Sequence, residues 1–344
     1  MESLRERATR AESAAAIGAA LAGDETAFGT LVETYRAELR VHCYRMVGSL
    51  DESEDLVQET FLRAWRRRET YAGRASFRAW LYRIATNACL DALERRPPRL
   101  LPPQMAPMTD PNAPMPPLVE IACVEPYPDR LMPAPDDPAA AVVAKETMEL
   151  AFIVAIQFLP ARQRAVLILR DVLGYPAQEA ADLLDLSVAA LKSALQRARA
   201  TLRERLPERR LDWSAPATSS PDEQALLKRY VAAIEHADPD AFTALLREDV
   251  RQSMPPYPMW FQGREVFVEG WRPMMVGPAA WGEWRVLPAS VNRQPALAAY
   301  LKRPGEEAFT GSWLGVFAFR DGLISEITTF QPSFFAACGL PATL

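Results

Sequence analysis

Two stretches near the N-terminus decide the fold of this chain: residues 51–65 (DESEDLVQETFLRAW) and residues 76–91 (SFRAWLYRIATNACLD). Apolar residues recur along the first stretch at the spacing of one helix face, which predicts a helix over Leu50–Trp65. An acidic and amide stripe runs beside that face. A second helix is expected from about Ser76, with apolar residues along one side. The sequence therefore predicts a helical bundle with one acidic surface.

The polar side of the second helix carries chemistry that suits nucleic acid. Four polar residues follow one another there at i, i+4 spacing: Arg83, Asn87, Asp91 and Arg95. Asn and Arg side chains can hydrogen-bond base edges, and Arg can bind phosphates. The loop over residues 66–76 adds aromatic and basic groups, which suit single-stranded or melting DNA. We therefore expect this part of the chain to bind DNA.

Together, the two stretches resemble regions 2.2 to 2.4 of the sigma-70 family of bacterial RNA polymerase sigma factors. The resemblance covers residues 25–96 and includes the pattern F-x-x-W-L-x-x-I-A-x-N-x-x-x-D. In that family the first helix docks on a coiled coil of the polymerase β′ subunit, and an acidic surface suits a basic partner. The resemblance assigns polymerase binding to these residues: Asp51, Glu54, Asp55, Leu56, Val57, Gln58, Glu59 and Phe61.

The same resemblance implies how the second helix and the loop before it act on a promoter. In the family this region recognises the −10 element, and the loop captures a base flipped out of it. The residues so implied are Arg74, Ser76, Arg83, Asn87, Asp91 and Arg95. The rings of Phe77 and Trp80 are instead expected to pack in the core.

A second helical block, over residues 142–207, has the pattern typical of a helix-turn-helix. Gly174 and Pro176 interrupt the first part. Ser187 is a good N-cap for a helix from Val188 to about Leu206, because its hydroxyl can accept an orphan N–H. The buried stripe of that helix is expected to be Leu191, Leu195, Ala198 and Leu202. Residues 188–210 hold seven Lys or Arg against two Glu, so DNA binding is compatible with a formal net charge of -5.

This block resembles sigma region 4, whose opening pattern L-P-x-x-x-R-x-V stands at residues 159–166. The resemblance implies that the second helix enters the major groove at the −35 element. It also implies a contact with the flap of the polymerase β subunit. The implied DNA-binding residues are Ser187, Ala189, Lys192, Ser193, Gln196, Arg197 and Arg199.

The remainder, residues 222–344, mixes helical patterns with short strand-like runs, which predicts an α+β domain. Asp321-Gly322 between two such runs predicts a hairpin turn. The ending at residues 319–327 (FRDGLISEI) resembles the cone-shaped SnoaL-like and nuclear-transport-factor-2-like proteins, whose sheet curls around a pocket. A small-molecule ligand is then conceivable, and the candidate pocket residues are Met254, Tyr257, Trp260, Phe261, Trp271, Trp284, Trp313 and Phe330.

Proline spacing gives the domain plan. Residues 1–96 contain no proline, whereas the next stretch is crowded with it, and proline disfavours helix. The expected fold is multidomain: two all-α sigma domains, a region 2 helical bundle and a region 4 helix-turn-helix, followed by the α+β domain. The expected divisions are 1–96 for region 2, 97–140 for a Pro-rich linker, 141–210 for region 4, 211–221 for a short linker and 222–344 for the SnoaL-like domain.

Composition narrows the chemistry and the location. The four cysteines form no C-x-x-C pair and there are two histidines, so neither a disulfide framework nor a metal site nor a cofactor is expected. The N-terminus has no signal-peptide apolar core, and no apolar run is long enough to span a membrane. A cytoplasmic location without membrane contact is expected.

Three functions remain open on the sequence. The first is a sigma factor that binds core RNA polymerase and promoter DNA, with its C-terminal domain modulating it and carrying no catalysis. The second is a DNA-binding module fused to a SnoaL-like isomerase or hydrolase, for which Asp249 is the best acidic candidate and His236 lies at a helix end. The third is a simple helix-turn-helix repressor. The first is favoured, because both sigma-like blocks occur at the expected separation.

Overall fold

The computed structural model describes residues 15–73, 75–94, 96–110, 119–133, 147–206 and 220–344. They fall into two compact units. The helical unit comprises the described residues of 1–98, 132–143 and 155–211, and the mixed unit those of 99–131, 144–154 and 212–344. Within the described ranges, no helix is long and apolar enough to cross a membrane.

After a helical stretch at residues 15–21, the helical unit contains a bundle of three helices: α1 (Glu25–Val47), α2 (Leu50–Arg66) and α3 (Phe77–Leu93). Each starts at a side chain that accepts a free backbone N–H, namely Asp24, Ser49 and Ser76. Gly48 ends α1 in the left-handed region, with φ 72°, which allows the sharp turn into α2. The helix expected over Leu50–Trp65 is therefore present and one residue longer.

The rest of the helical unit contains the helix-turn-helix. Its elements are α4 (Leu150–Gln157, whose first residues belong to the mixed unit), α5 (Ala161–Leu167), a π-helical turn (Ile168–Val172), α6 (Ala177–Leu183) and α7 (Val188–Arg205). Ser187 caps α7 by accepting the Ala190 N–H at 3.2 Å. The expected stripe of Leu191, Leu195, Ala198 and Leu202 is buried. Both expectations for this helix are confirmed.

A buried arginine joins the two halves of the helical unit. Arg164 of α5 is 3% exposed and donates to the carbonyl of Met46 at the end of α1. The same guanidinium donates to the Ile156 carbonyl at 2.9 Å and to the Gln157 side chain at 2.6 Å, at the end of α4. Helix ends leave carbonyls unpaired, so one fork of N–H donors satisfies two of them at once.

The mixed unit is built on one six-stranded sheet in the order β2-β1-β6-β5-β4-β3. Its strands are β1 (Leu246–Ser253), β2 (Trp260–Gln262), β3 (Glu283–Val291), β4 (Gln294–Lys302), β5 (Thr310–Arg320) and β6 (Leu323–Phe330). Neighbours are antiparallel except β1 and β6, which are parallel. Helices α8 (Pro221–Glu235), α9 (Pro239–Thr243), α10 (Arg264–Met275) and α11 (Phe335–Cys338) complete it.

The turns show where sequence patterns were sufficient. Asp321 and Gly322 both have positive φ and connect β5 to β6, as predicted. The turn between β3 and β4 uses Asn292 and Arg293, also at positive φ, and was not predicted, because it carries no glycine. Strand β2 was likewise missed, since it has only three residues. The multidomain fold class, helical sigma-type domains followed by a mixed-sheet domain, is confirmed.

Candidate polymerase and promoter surfaces and the C-terminal cavity

The exposed side of α2 carries part of the residue set expected to bind polymerase. Asp51, Asp55 and Gln58 are exposed. Glu59 is half-buried and accepts the Arg63 guanidinium at 2.7 Å. These four leave a surface that is acidic and rich in hydrogen-bond acceptors.

Other members of that set do not face outward. Leu56, Val57 and Phe61 are buried in the bundle, at 9%, 0% and 8% exposure. Glu54 accepts from Arg36 at 2.5 Å and from Arg40 at 3.0 Å, which fixes α2 on α1. These side chains hold the helix in place: three are buried in the bundle, and Glu54 is engaged by two arginines of α1.

One surface residue of α2 was missed. Leu62 is 50% exposed although it is a large apolar side chain. It lies one helical turn beyond Gln58, on the same side as Asp55. The sequence could have indicated this residue, because Leu62 is apolar but lies outside the buried stripe of α2, where its side chain does not pack in the bundle.

On α3, the residues expected at the −10 element are partly engaged within the protein. Ser76 is the N-cap and accepts the Ala79 N–H at 3.1 Å. Arg83 is exposed but donates to Asp185 at 2.6 Å, and Asp91 accepts from Arg63 at 2.7 Å. Asn87 is half-buried. The remaining two, Arg74 and Arg95, lie outside the described residues.

An aromatic cluster stands at the start of α3. Phe77 is buried at 3% exposure, as expected, but Trp80 is only half-buried. The Trp80 ring lies 5.5 Å from that of Tyr71 in the preceding loop and 5.4 Å from that of Phe77. Trp80 is therefore not a plain core residue, because one side of this cluster is open to solvent.

Helix α7 presents an open polar face. Five of the residues predicted to bind DNA are exposed on this helix, namely Ala189, Lys192, Ser193, Gln196 and Arg197, and Ser187 is exposed at the cap. Arg199 differs, because its Nε and one terminal nitrogen, Nη2, donate to the two Asp171 carboxylate oxygens at 2.7 Å. This pair connects α7 to the π-helical turn after α5, so Arg199, expected at DNA, is engaged within the protein in this state.

Within the helical unit, α3 and the helix-turn-helix touch. Besides the pair of Arg83 with Asp185, Arg78 donates to the Tyr175 hydroxyl at 3.3 Å and to the buried Glu38 at 2.7 Å. The Tyr82 and Tyr175 rings meet edge-on at 5.9 Å. The two predicted DNA-binding elements are thus packed together in this state.

In the mixed unit, the described part of the Pro-rich segment binds the C-terminal domain. Trp260 donates its indole N–H to the Ala106 carbonyl at 3.0 Å, and the Thr109 N–H donates to the Trp260 carbonyl at 2.9 Å. The Ile121 N–H donates to the Pro256 carbonyl at 2.8 Å. We call these contacts the first linker site.

A second linker site lies at the β3–β4 turn. Asn292, which is fully buried, exchanges hydrogen bonds with the Tyr127 backbone at 2.7 and 2.8 Å and donates to the Met148 carbonyl at 2.8 Å. Asp129 accepts the Arg293 N–H at 2.8 Å, and Arg130 donates to the Ala336 carbonyl at 3.0 Å. The segment entering region 4 is therefore held at the same turn as the Pro-rich segment.

The curled sheet and α10 enclose a cavity of about 850 Å³. Of the residues predicted for it, six line it: Met254, Tyr257, Phe261, Trp271, Trp313 and Phe330. Trp260 and Trp284 do not line it. Asp249 also lies elsewhere, exposed on the surface and paired with Arg247 at 2.8 Å, and His236 is exposed at the end of α8. The candidate acid is therefore not in the cavity.

Comparison with known proteins agrees with this geometry. Residues 31–97 match the family model of sigma-70 region 2, residues 149–202 that of sigma-70 region 4, and residues 227–327 that of a SnoaL-like domain. The chain is similar to the ECF RNA polymerase sigma factor SigG of Mycobacterium tuberculosis, at 41% identity over 92% of this chain and 85% of that protein. It is also similar to SigW of Bacillus subtilis, at 27% identity over 54% of this chain and 91% of that protein.

A solved structure shares the whole fold. The crystal structure of the Mycobacterium tuberculosis extracytoplasmic function sigma factor SigJ aligns with a TM-score of 0.58, at 24% identity, over 91% of this chain and 99% of that one. A region 2 bundle followed by a region 4 helix-turn-helix defines a promoter-directing RNA polymerase sigma factor. Within that class, this chain belongs to the ECF sigma factors, here with a SnoaL-like domain fused at the C-terminal side.

Proposed function

We propose that α2 binds the coiled coil of the polymerase β′ subunit through Asp51, Asp55, Gln58 and Glu59, with Leu62 as an apolar contact beside them. The exposed acidic stripe supports this, since it would complement a basic surface. Region 4 would contact the flap of the β subunit. The chain would then act in the cytoplasm, where polymerase and promoters are.

For promoter DNA, α7 reads the −35 element and α3 the −10 element. The observation that carries the first assignment is the open face of Lys192, Gln196 and Arg197 on a capped helix. On α3, Arg83, Asn87 and Asp91 take that role together with Ser76 and with Arg74 and Arg95. The half-buried Trp80 and Tyr71 rings form a surface on which an unstacked base can stack.

The C-terminal domain regulates the sigma domains by holding the segment that joins them. The two linker sites support this, because they bind the chain both after region 2 and at the start of region 4. Leu150, the first residue of α4, donates its N–H to the Gln294 side chain at 2.8 Å. Held in this way, the joining segment cannot extend freely.

Distances show why such holding would matter. The two promoter elements are about 25 base pairs apart, or about 85 Å at roughly 3.4 Å per base pair. The chain between Leu93 and Leu150 could span on the order of 190 Å if fully extended, at about 3.3 Å per residue. A free segment therefore permits simultaneous binding of both elements, whereas one bound at two sites loses most of its reach.

The domain works without catalysis. Among the described residues that line the cavity there is no Asp, Glu, His, Lys or Arg, so the Asp or His acid–base group expected of a related enzyme is not among them. The Tyr257 hydroxyl lines the cavity and accepts a hydrogen bond from the Gln331 amide at 2.9 Å. The isomerase or hydrolase alternative rested on Asp249, which lies on the surface. Its Asp249→Asn variant should leave every function of the protein unchanged.

A charge reversal tests the polymerase surface. Asp55→Lys should weaken binding to core polymerase by at least tenfold, because it places a cation where the partner is basic. Glu269→Lys reverses an equally exposed acid on α10 and is the control. Affinity is measured by fluorescence anisotropy of the labelled chain. Equal affinities for the two variants would refute the assignment of the polymerase-binding surface.

Run-off transcription with core polymerase tests the regulation. A truncation after Arg210 and the double substitution Asp129→Ala with Arg130→Ala both release linker contacts, and both should raise transcription several-fold. Arg247→Ala removes a surface ion pair in the same domain without touching the linker, and should leave it unchanged. Identical activity and promoter choice in all four proteins would remove the C-terminal domain from regulation.

A further inference from the structure

The cavity of the mixed unit has the size and the mostly apolar lining of a small-molecule binding site. Its volume of about 850 Å³ lies within the range of small-molecule sites. The walls are mostly apolar, with aromatic rings from Tyr257, Phe261, Phe267, Trp271 and Trp313. Trp281 stands among them at 41% exposure, so a large ring is available to a ligand from solvent.

Two hydrogen-bond donors in this wall have no partner among the described residues. One is the side-chain amide nitrogen of Gln252, a residue that is 2% exposed. Its amide orientation follows from the Trp271 indole N–H, which donates to the Gln252 oxygen at 3.3 Å. The other is the indole N–H of Trp313, which is 6% exposed. A buried donor without a partner is costly, so each is suited to a ligand acceptor.

The charge of the lining limits the ligand further. No Asp, Glu, His, Lys or Arg is present among the described lining residues. An ion would lose its hydration in this cavity without gaining an opposite charge, which disfavours a charged ligand. The occupant is therefore neutral, largely apolar and equipped with an acceptor such as a carbonyl oxygen.

The same cavity wall carries the first linker site. Along the loop after β1 and into β2, Pro255, Tyr257, Met259 and Phe261 line the cavity. The intervening Pro256 and Trp260 instead hydrogen-bond the linker at Ile121, Ala106 and Thr109. One segment thus lines the cavity through alternate residues and binds the linker through the others.

We propose that the cavity binds a neutral, mostly apolar small molecule bearing a hydrogen-bond acceptor, held by Gln252 and Trp313, and that its binding strengthens the first linker site. A ligand that orders the loop lowers the entropy cost of binding the linker to it, so the two bind with positive cooperativity. The regulatory half of this inference rests on the function proposed above, whereas the ligand site itself does not.

Binding is tested with the full chain and Prodan, a neutral fluorescent naphthalene ketone. Prodan should bind saturably with a blue-shifted emission. Trp313→Phe and Gln252→Leu should each weaken it by roughly three- to tenfold, the effect of one lost hydrogen bond. Trp284→Phe is the matched control, because its indole N–H is also buried and unpaired but lies outside the cavity lining.

Further probes and one further variant keep this test decisive. The anionic anilinonaphthalene sulfonate and the acceptor-free propylnaphthalene should bind more weakly than Prodan. Gly270→Leu should block binding of all three probes, because Gly270 lines the cavity and the new side chain would occupy it. A Cβ added at this position meets open space, so the substitution should not strain the fold. Absence of saturable Prodan binding, or equal effects of Trp313→Phe and Trp284→Phe, would overturn the ligand site.

Hydrogen exchange tests the link to the linker. Saturating Prodan should slow exchange of the Thr109 and Ile121 amides at least twofold and leave the Asn292 amide, at the second linker site, unchanged. Unchanged exchange at Thr109 and Ile121 would overturn the coupling. If exchange slows and transcription does not fall, the proposed regulation fails and the ligand site stands. If Prodan does not bind and the truncation still raises transcription, the ligand site fails and the proposed regulation stands.

Discussion

The two helices with the proposed promoter contacts, α3 and α7, differ in how much of their polar face is free. On α7, Lys192 and Arg197 are exposed and form no ion pair with any described residue. On α3, Arg83 is paired with Asp185 and Asp91 with Arg63. Helical spacing thus identifies which side chains share a face, but only the surrounding structure decides whether that face is available.

The pairs on α3 are of a kind that can be exchanged for DNA. The side chains of Arg83 and Asp185 are 46% and 68% exposed, and those of Arg63 and Asp91 are 28% and 61% exposed. Ion pairs at such positions contribute about 0–1 kcal/mol each. In the proposed promoter complex, the polar face of α7 would bind DNA directly, whereas the ion pairs of α3 would first have to open, at small cost.

The largest expected effect is on α7. Arg197→Ala should cost about 1–3 kcal/mol in binding the −35 element, a loss of roughly five- to 150-fold, because a base or phosphate contact disappears. Arg199→Ala should cost less at DNA and lower the thermal stability of the helical unit, because its guanidinium is bound to Asp171. Promoter binding by the complex with core polymerase measures both. Equal losses at DNA would contradict the distinction.

Acid should destabilise the helical unit through one buried histidine, which is an effect of intermediate size. His42 of α1 is fully buried behind α3, 2.9 Å from the Thr86 hydroxyl, and burial lowers its pKa to about 3. An unfolded histidine has a pKa of about 6.5, so below that pH the unfolded chain takes up the proton first. Stability is full above about pH 6.5 and should fall by about 1.4 kcal/mol at about pH 5.5.

Urea unfolding of the helical unit at about pH 7.5 and about pH 5.5 measures this fall. His42→Gln should abolish it, because no proton is then taken up on unfolding at that position. His236→Gln replaces the exposed histidine of the mixed unit and should keep the wild-type fall. An undiminished pH dependence in His42→Gln would show that His42 is not its source.

The smallest expected effect is at the pair between α3 and the helix-turn-helix. Asp185→Ala frees Arg83 and should raise binding to single-stranded −10 DNA about two- to fivefold, which corresponds to at most about 1 kcal/mol. Asp182→Ala, on α6 nearby, is the control, since its carboxylate accepts from Gln178 within the same helix. A rise in both variants would indicate a general charge effect in place of a released contact.

The local sequence predicted what depends on neighbours in the chain. The buried stripe of α7, the Ser187 cap and the Asp321-Gly322 turn follow from helix period, capping chemistry and turn preference. The polymerase surface was predicted in part, because Asp55 and Gln58 are exposed but Leu56 and Phe61 are core. A residue next to an apolar stripe can be exposed or buried, because its burial depends on neighbouring elements that the local sequence does not reveal.

By itself, the sequence determined the family, the helix-turn-helix and most of the helices and strands, since these depend on patterns of a few residues. The three-residue strand β2 was the strand it missed. Tertiary structure alone decided that the Pro-rich segment binds the C-terminal domain, that Asp249 lies outside the cavity and that Gln252 and Trp313 lie within it. The first of these facts depends on contacts between residues more than a hundred positions apart. The other two depend on which face of each strand lines the cavity. No local pattern encodes either, because they arise only when distant elements pack.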